Sequence, residues 1–325
     1  MIRRIRQERG ASAVLVAFLL IPILGMGAIS VDVGALYAEK AQLQNGADAV
    51  ALEVAIACAK DESGGGCATN DPGGLAGGNA VDGVAEIAAV DIDRTADEVR
   101  VTTNSEDLGV RHPFASMLPG IGDSTVVTAI GAAEWGVPVR GPTLALAIGY
   151  CEFADHPPQE GVANPTKILI QYETETRRSC DGAFAPGGFG WLPSTNCSIE
   201  IDVANPWVVS KPGNSTSGTG CNDAYLASFL DNGADTVFIP IYDDFRGAGG
   251  ANVEFHIQQF AAFKVTGFKL SGGNAYTDPG APACTGSCRG LQGYFMKYVS
   301  VSDAFELGSG GGGGSGAAIV RLILP

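Results

Sequence analysis

The residues that could do chemistry in this chain are few, and their spacing completes no recognisable constellation. There are three histidines, His112, His156 and His256. Two of them precede proline, and no H-E-x-x-H pair sets two imidazoles one helical turn apart for zinc. No G-x-S-x-G turn presents a serine nucleophile, and no glycine-rich P-loop presents backbone N–H groups to a phosphate. Gly286-Ser287-Cys288-Arg289-Gly290 frames a cysteine like an elbow, but the neighbouring Cys284 points to a disulfide instead. Asp243-Asp244 offers paired carboxylates, yet it follows a predicted strand and reads as a solvated turn. Asp91, Asp93 and Asp97 make an acidic loop without the glycine and terminal glutamate of a calcium loop. Phe184, Phe189, Trp191 and Trp207 gather around glycines. They read as core filling where glycine leaves room rather than as a sugar-stacking platform. No cofactor and no metal are expected, and the chain reads as a non-enzyme.

The eight cysteines carry a clearer message. Cys58, Cys67, Cys151, Cys180, Cys197, Cys221, Cys284 and Cys288 all lie after residue 57. An even number in an exported chain predicts disulfides. Short loops favour Cys58 with Cys67 and Cys284 with Cys288. The middle four allow three arrangements, of which Cys151–Cys180 with Cys197–Cys221 is preferred.

Export itself is read from the N-terminus. Residues 1–10 hold Arg3, Arg4, Arg6 and Arg9 against Glu8, and Ala11–Val31 then runs for 21 residues without a charge. At about 1.5 Å per residue, that run spans roughly 30 Å, the thickness of a bilayer's hydrocarbon. Arginines before the span and none just after it predict a cytoplasmic N-terminus, with the bulk of the chain outside. A cleaved signal peptide is the rival reading, with Gly25-Met26-Gly27-Ala28 as its cleavage site. The helical pattern runs straight through that point, so a retained anchor is preferred. Beyond Asp32 the pattern continues to about residue 60, with Leu36, Leu43, Ala47, Val50 and Val54 in one narrow sector. That face packs either on similar helices of an envelope assembly or on the protein's own domain. The formal net charge is −15; residues 1–10 contribute +3, leaving −18 on the remainder. Such a surface repels nucleic acid and mainly serves solubility.

The string Arg9-Gly10-Ala11-Ser12-Ala13-Val14, Val31-Asp32-Val33-Gly34, Tyr37 and Gln42-Leu43-Gln44-Asn45-Gly46-Ala47-Asp48-Ala49-Val50-Ala51-Leu52 resembles the N-terminal module of TadE/TadG-type proteins of Tad (Flp pilus) assembly. The motif positions are Gly10, Asp32, Gly34, Tyr37, Gln44 and Asp48. Gly187-Gly188-Phe189-Gly190-Trp191-Leu192, Asn205-Pro206-Trp207 and Lys211-Pro212-Gly213-Asn214-Ser215 resemble segments of the exported domain in actinobacterial members. Processed pilin-like members carry glutamate five residues after the cleaved glycine. Counting from Gly10, that position here is Leu15, so the resemblance is to the unprocessed, TadG-like branch. The metal-binding loop of von Willebrand A domains found in some relatives is absent.

The expected fold class is α+β. The expected domains are a basic segment (1–10), a transmembrane helix (11–31), a helix extension (32–60), a small α/β subdomain (61–139) and a β-rich exported domain (140–325) with a glycine-rich linker at 308–316. Within 61–139 the pattern predicts helices over 80–90 and 112–117 and strands over 98–103 and 124–135, the last ended by Gly136-Val137-Pro138. Further strands are predicted over 143–150, 167–174, 198–203, 236–242, 253–270, 294–301 and 317–324, with one helix over 221–231. High glycine and proline content (46 and 17 residues) with only 17% charged residues fits short strands between glycine-rich loops. The last segment reads as a resident strand, with strand donation to a neighbour as the alternative.

The resemblance implies a single-pass protein of the cytoplasmic membrane that takes part in assembling or anchoring a Flp/Tad-type pilus. Its implied partners are pilus-assembly or pilin-like membrane proteins, met through the N-terminal helix, with self-association also open and no nucleic acid. The alternatives are a tethered glycan-binding module or wall-active hydrolase, and a processed pilin-like subunit.

Overall fold

The computed structural model describes residues 9–60, 67, 74–81, 83–105, 109–117, 120–159, 162–171, 190–211, 216, 218–231, 236–247, 253–270, 275–300, 304–308 and 316–325. Its first element, α1 (Arg9–Lys60), is one continuous helix of 52 residues, about 78 Å long at the α-helical rise. Pro22 lies inside it, a helix breaker that membrane-spanning helices tolerate. From Val14 to Val31 the described large apolar side chains of α1 are exposed. This part is long and apolar enough to cross a membrane. From Leu43 to Ala59 one face is fully buried. The helix thus changes from a naked apolar rod to a docked one within a few turns.

After α1 come α2 (Leu75–Gly78), β1 (Glu86–Asp93), β2 (Glu98–Asn104), β3 (Val110–Arg111), a single 3-10 turn at Ala115–Met117, β4 (Ser124–Thr125), β5 (Thr128–Leu144), β6 (Ile148–Gly149), α3 (Tyr150–Ala154) and β7 (Ile168–Gln171). The remainder gives β8 (Ser198–Asp202), β9 (Trp207–Val209), α4 (Asp223–Asp231), β10 (Thr236–Arg246), β11 (Glu254–Lys269), β12 (Ala275–Tyr276), β13 (Gly290–Met296), β14 (Tyr298–Val299), β15 (Glu306–Gly308) and β16 (Ala318–Ile323). The class is α+β. One sheet has the order β1-β2-β5-β16-β14, with β15 and β8 also on β5. A second has the order β6-β10-β11-β13-β7, with β12 and β9 also on β11. β3 and β4 form a separate hairpin. Pairing is antiparallel except β14 with β16 and β6 with β10.

Several expectations are corrected. Residues 80–90 do not form a helix. From Glu86 the chain is the edge strand β1, paired with β2 from Glu86↔Asn104 to Asp93↔Glu98. Ile87, Val90 and Ile92 alternate with polar or small residues closely enough to suit a half-buried strand, and pairing overrides the helix preference of alanine. The 112–117 helix shrinks to the one 3-10 turn, so the unit is an antiparallel sheet packed on α1 rather than a βαβ-like fold. Gly136-Val137-Pro138 does not end its strand. β5 runs on to Leu144, changing partners there: β2 and β16 flank Ala132–Glu134, β15 meets Val137, Pro138 and Arg140, and β8 takes Arg140–Leu144. Pro138 and Pro142 each face a pairing strand on one side only, where a missing N–H costs nothing. β5 therefore crosses the expected boundary at 139/140. The strand predicted over 143–150 is split between the end of β5, β6 and the start of α3, and that over 294–301 between β13 and β14. β10 also continues through Asp243-Asp244 to Arg246, so these acids lie on a strand and not in a turn. β16 is a resident strand, antiparallel to β5 from Ile319↔Gly136 to Ile323↔Ala132.

The larger core lies between β5, β8 and the second sheet. Phe153, Phe255, Phe260, Phe263, Phe295, Trp191 and Leu146 are fully buried there. Phe295 stands edge-on to both Phe153 and Phe263, at centroid distances of 4.9 and 5.0 Å, the arrangement that ring quadrupoles favour. Trp191 fills this core as expected. Phe184, Phe189, Gly187, Gly188, Pro212, Gly213, Asn214, Ser215 and most of the 308–316 stretch lie outside the described residues.

Candidate functional site

The smaller core is the joint between α1 and the first sheet. Val50, Ala51, Val54, Ala55, Cys58 and Ala59 of α1 are buried against Val99 and Val101 of β2, Ala133 and Trp135 of β5, and Val320 of β16. Leu43 and Ala47 are also fully buried, while Leu36, nearer the span, is half-buried. Four of the five residues of the apolar stripe thus meet the protein's own domain. The closeness is set by Gly131: a Cβ there would stand 2.5 Å from the backbone carbon of Ala47. Small residues on both elements let helix and strand backbones touch.

Polar bonds pin the same joint. Asp32 is only 3% exposed, and its Oδ2 accepts the backbone N–H of Phe114 at 3.0 Å and of Ala115 at 2.5 Å. Gln42 Oε1 accepts the N–H of Val81 at 2.6 Å. The Leu43 carbonyl accepts the Thr103 hydroxyl at 3.0 Å. Gln44 Nε2 donates to Asp48 Oδ1 at 2.8 Å, one turn further along, and to the Ile130 carbonyl at 2.7 Å. At the outer end the Lys60 ammonium lies 5.5 Å from the centre of the Tyr298 ring. Asp32, Gln44 and Asp48 of the motif are therefore structural bonding groups of the joint. Gly34 and Tyr37 are placed differently. Tyr37 is 72% exposed and a Cβ on Gly34 would meet nothing within 4 Å. Gly10 lies in the first turns of α1.

The order of these contacts fixes direction. Moving outward along α1 from Leu43 through Ala47 to Lys60, the partners on the sheet run from Thr103 and Ile130 through Gly131 to Tyr298. Tyr298 is in β14, whose neighbour β16 pairs with β5 at Gly136. Helix and β5 thus run side by side away from Asp32. Sixteen residues of helix at about 1.5 Å match roughly seven residues of strand at about 3.3 Å.

Three disulfides are described: Cys58–Cys67, Cys197–Cys221 and Cys284–Cys288. Cys151 is also disulfide-bonded, and Cys180 lies outside the described residues. Cys58–Cys67 ties the last turn of α1 to the loop that follows it.

Among the described residues no group of three or more His, Cys, Asp or Glu side chains could hold a metal. Asp93 is committed to its hairpin, where Oδ1 accepts the N–H groups of Thr95 and Ala96. These bonds hold its pKa below the usual carboxylate value. One pairing was not legible in the sequence: Asp243 Oδ1 stands 2.6 Å from His256 Nδ1. A β-bulge in β10 around Tyr242/Asp244 brings them face to face across two strands. Trp207 lies beside them, 5.1 Å from the imidazole and under Arg246, which also bonds Glu254. These neighbours include no hydroxyl or thiol nucleophile. His112 Nε2 pairs with the Thr125 hydroxyl at 2.9 Å, serving the β3–β4 hairpin.

Asp278 gives this domain a pH response. Burial opposes its ionisation. The Lys167 ammonium at 2.6 Å and the Gly280 N–H more than offset that, and its pKa is lowered overall. A depressed carboxylate pKa contributes stability that is present above the unfolded pKa and lost as pH falls through the folded one. The thermal midpoint of Asp278→Asn is therefore expected to lie below that of the unsubstituted protein at pH 7. The gap should narrow as pH drops below about 4. Melting curves at stepped pH check this; a gap independent of pH would remove Asp278 as its source.

No curated protein and no solved structure matches this chain. Residues 10–57, covering the apolar span, Gly34, Tyr37 and nearly all of the docked part of α1, match the family model described as putative Flp pilus-assembly TadE/G-like, so the chain carries a TadE/G-like N-terminal module.

Proposed function

We propose that this protein is a single-pass envelope protein that helps to assemble or anchor a Flp/Tad-type pilus through protein–protein contacts, without catalysis. Its N-terminus lies in the cytoplasm and its disulfide-containing domain outside. The observation that carries the reading is the division of labour along α1. The TadE/G-like module supplies an apolar span free of its own chain and, about three turns further, a stretch packed on the outer domain. Between the two, Val33, Gly34 and Tyr37 stay exposed, just outside the span. A flat patch at Gly34 flanked by Tyr37 suits close approach of another helix. Partners in this reading are pilus-assembly or pilin-like membrane proteins.

The test is piliation. Deleting the gene should abolish or sharply reduce surface pili counted by electron microscopy, and the native chain should restore them. Gly34→Leu should fail to restore them while leaving thermal stability unchanged, because nothing of its own chain lies within 4 Å. Normal piliation in the deletion strain would refute the reading.

A further inference from the structure

The β3–β4 hairpin is attached to α1 through Asp32. Asp32 is the first charged residue after the charge-free run Ala11–Val31, and its carboxylate holds the backbone of Phe114 and Ala115. Where the run fills the hydrocarbon, Asp32 stands in the headgroup layer, which is about 5–8 Å thick on each side. The hairpin is thereby held at the same level. Its geometry is built in. Gly109 has φ +60 and a Cβ there would strike the Thr125 backbone, so the two strands close tightly. The His112 N–H donates to the Asp123 carbonyl at 3.1 Å, and the imidazole bonds Thr125.

What the hairpin presents is apolar. Phe114, Met117, Ile121 and Val126 are 42%, 79%, 43% and 48% exposed. Four exposed apolar side chains on one short hairpin are not the scattered singles of an ordinary surface. Charge agrees: Arg111 and Asp123 balance each other in a chain whose exported part carries −18, so the hairpin escapes the repulsion an acidic surface meets at anionic lipid.

We infer that the β3–β4 hairpin is a second membrane contact, a wedge whose apolar side chains insert into the outer leaflet beside the span and whose occupant is the lipid surface. This inference rests on the membrane-anchor reading above. Two contacts at one depth would prevent the domain from tilting about the helix. With the joint at Gly131, they would hold the first sheet upright along the bilayer normal. Apolar groups buried to such depth bind in the way interfacial segments do.

The chain's four methionines allow a direct test. Full-length protein carrying photoreactive methionine is reconstituted into vesicles of phosphatidylethanolamine and phosphatidylglycerol, irradiated and analysed by peptide mass. Met26 lies in the span and Met296 in β13 of the second sheet. Lipid adducts are expected on the Met26 and Met117 peptides and not on the Met296 peptide. Adducts on Met26 alone, or a protein adduct in place of lipid at Met117, would overturn the wedge while leaving the anchor intact. No lipid adduct on either would overturn both the wedge and the anchor.

Discussion

Gly131→Val is expected to loosen α1 from the first sheet and destabilise the outer domain by about 3 kcal/mol or more. The added carbons would meet the backbone of Ala47 and Asp48, and backbone cannot rotate aside as a side chain can. To make room, the helix must lift. Lifting it also withdraws Val50, Val54 and Ala55 from Val99, Val101 and Trp135, and stretches the bonds from Gln44 to Ile130 and from Thr103 to Leu43. The loss is therefore cooperative rather than confined to one contact. Thermal unfolding in detergent, with limited proteolysis after Lys60, would show a lowered midpoint and earlier cleavage. Gly34→Leu is the control on the same helix and should change neither. Equal effects from both substitutions would mean that the observed docking of α1 is not what stabilises the domain.

Replacing both Cys197 and Cys221 by alanine is expected to cost about 3–4 kcal/mol on the chain-entropy account of a loop of this length. The two residues are 24 apart in sequence and both are buried in the larger core. The same change at Cys284 and Cys288, only four residues apart, should cost about 2 kcal/mol. Denaturant titration of the two double variants tests the order. A larger loss at Cys284 and Cys288 would contradict loop closure as the main source of the stabilisation.

Much of the N-terminal part of the fold was legible in the sequence because it depends on local pattern. A charge-free run of bilayer length, a helical period continuing to Lys60 and cysteines confined to the chain beyond residue 57 need no tertiary information. Strands β2, β8 and β11 and helix α4 were legible for the same reason, being bounded by glycine, proline or polar residues. What failed was local preference read too literally. Instead of helix, the end of 80–90 became strand from Glu86 because β2 offered a pairing edge. Gly136-Val137-Pro138 was crossed because β5 exchanges neighbours there, and a proline facing a one-sided pair loses no bond.

The motif shows the same division. The sequence alone placed Asp32, Gln44 and Asp48 on one helix and showed an apolar span followed by a cysteine-bearing region. What those groups do depends on the fold, because the partners at Phe114, Ala115 and Ile130 lie some eighty residues away and are chosen by packing. The Asp243–His256 pair and the attachment of the β3–β4 hairpin to Asp32 likewise depend on the fold. Each depends on two distant segments meeting in one register, a relation that no local spacing encodes.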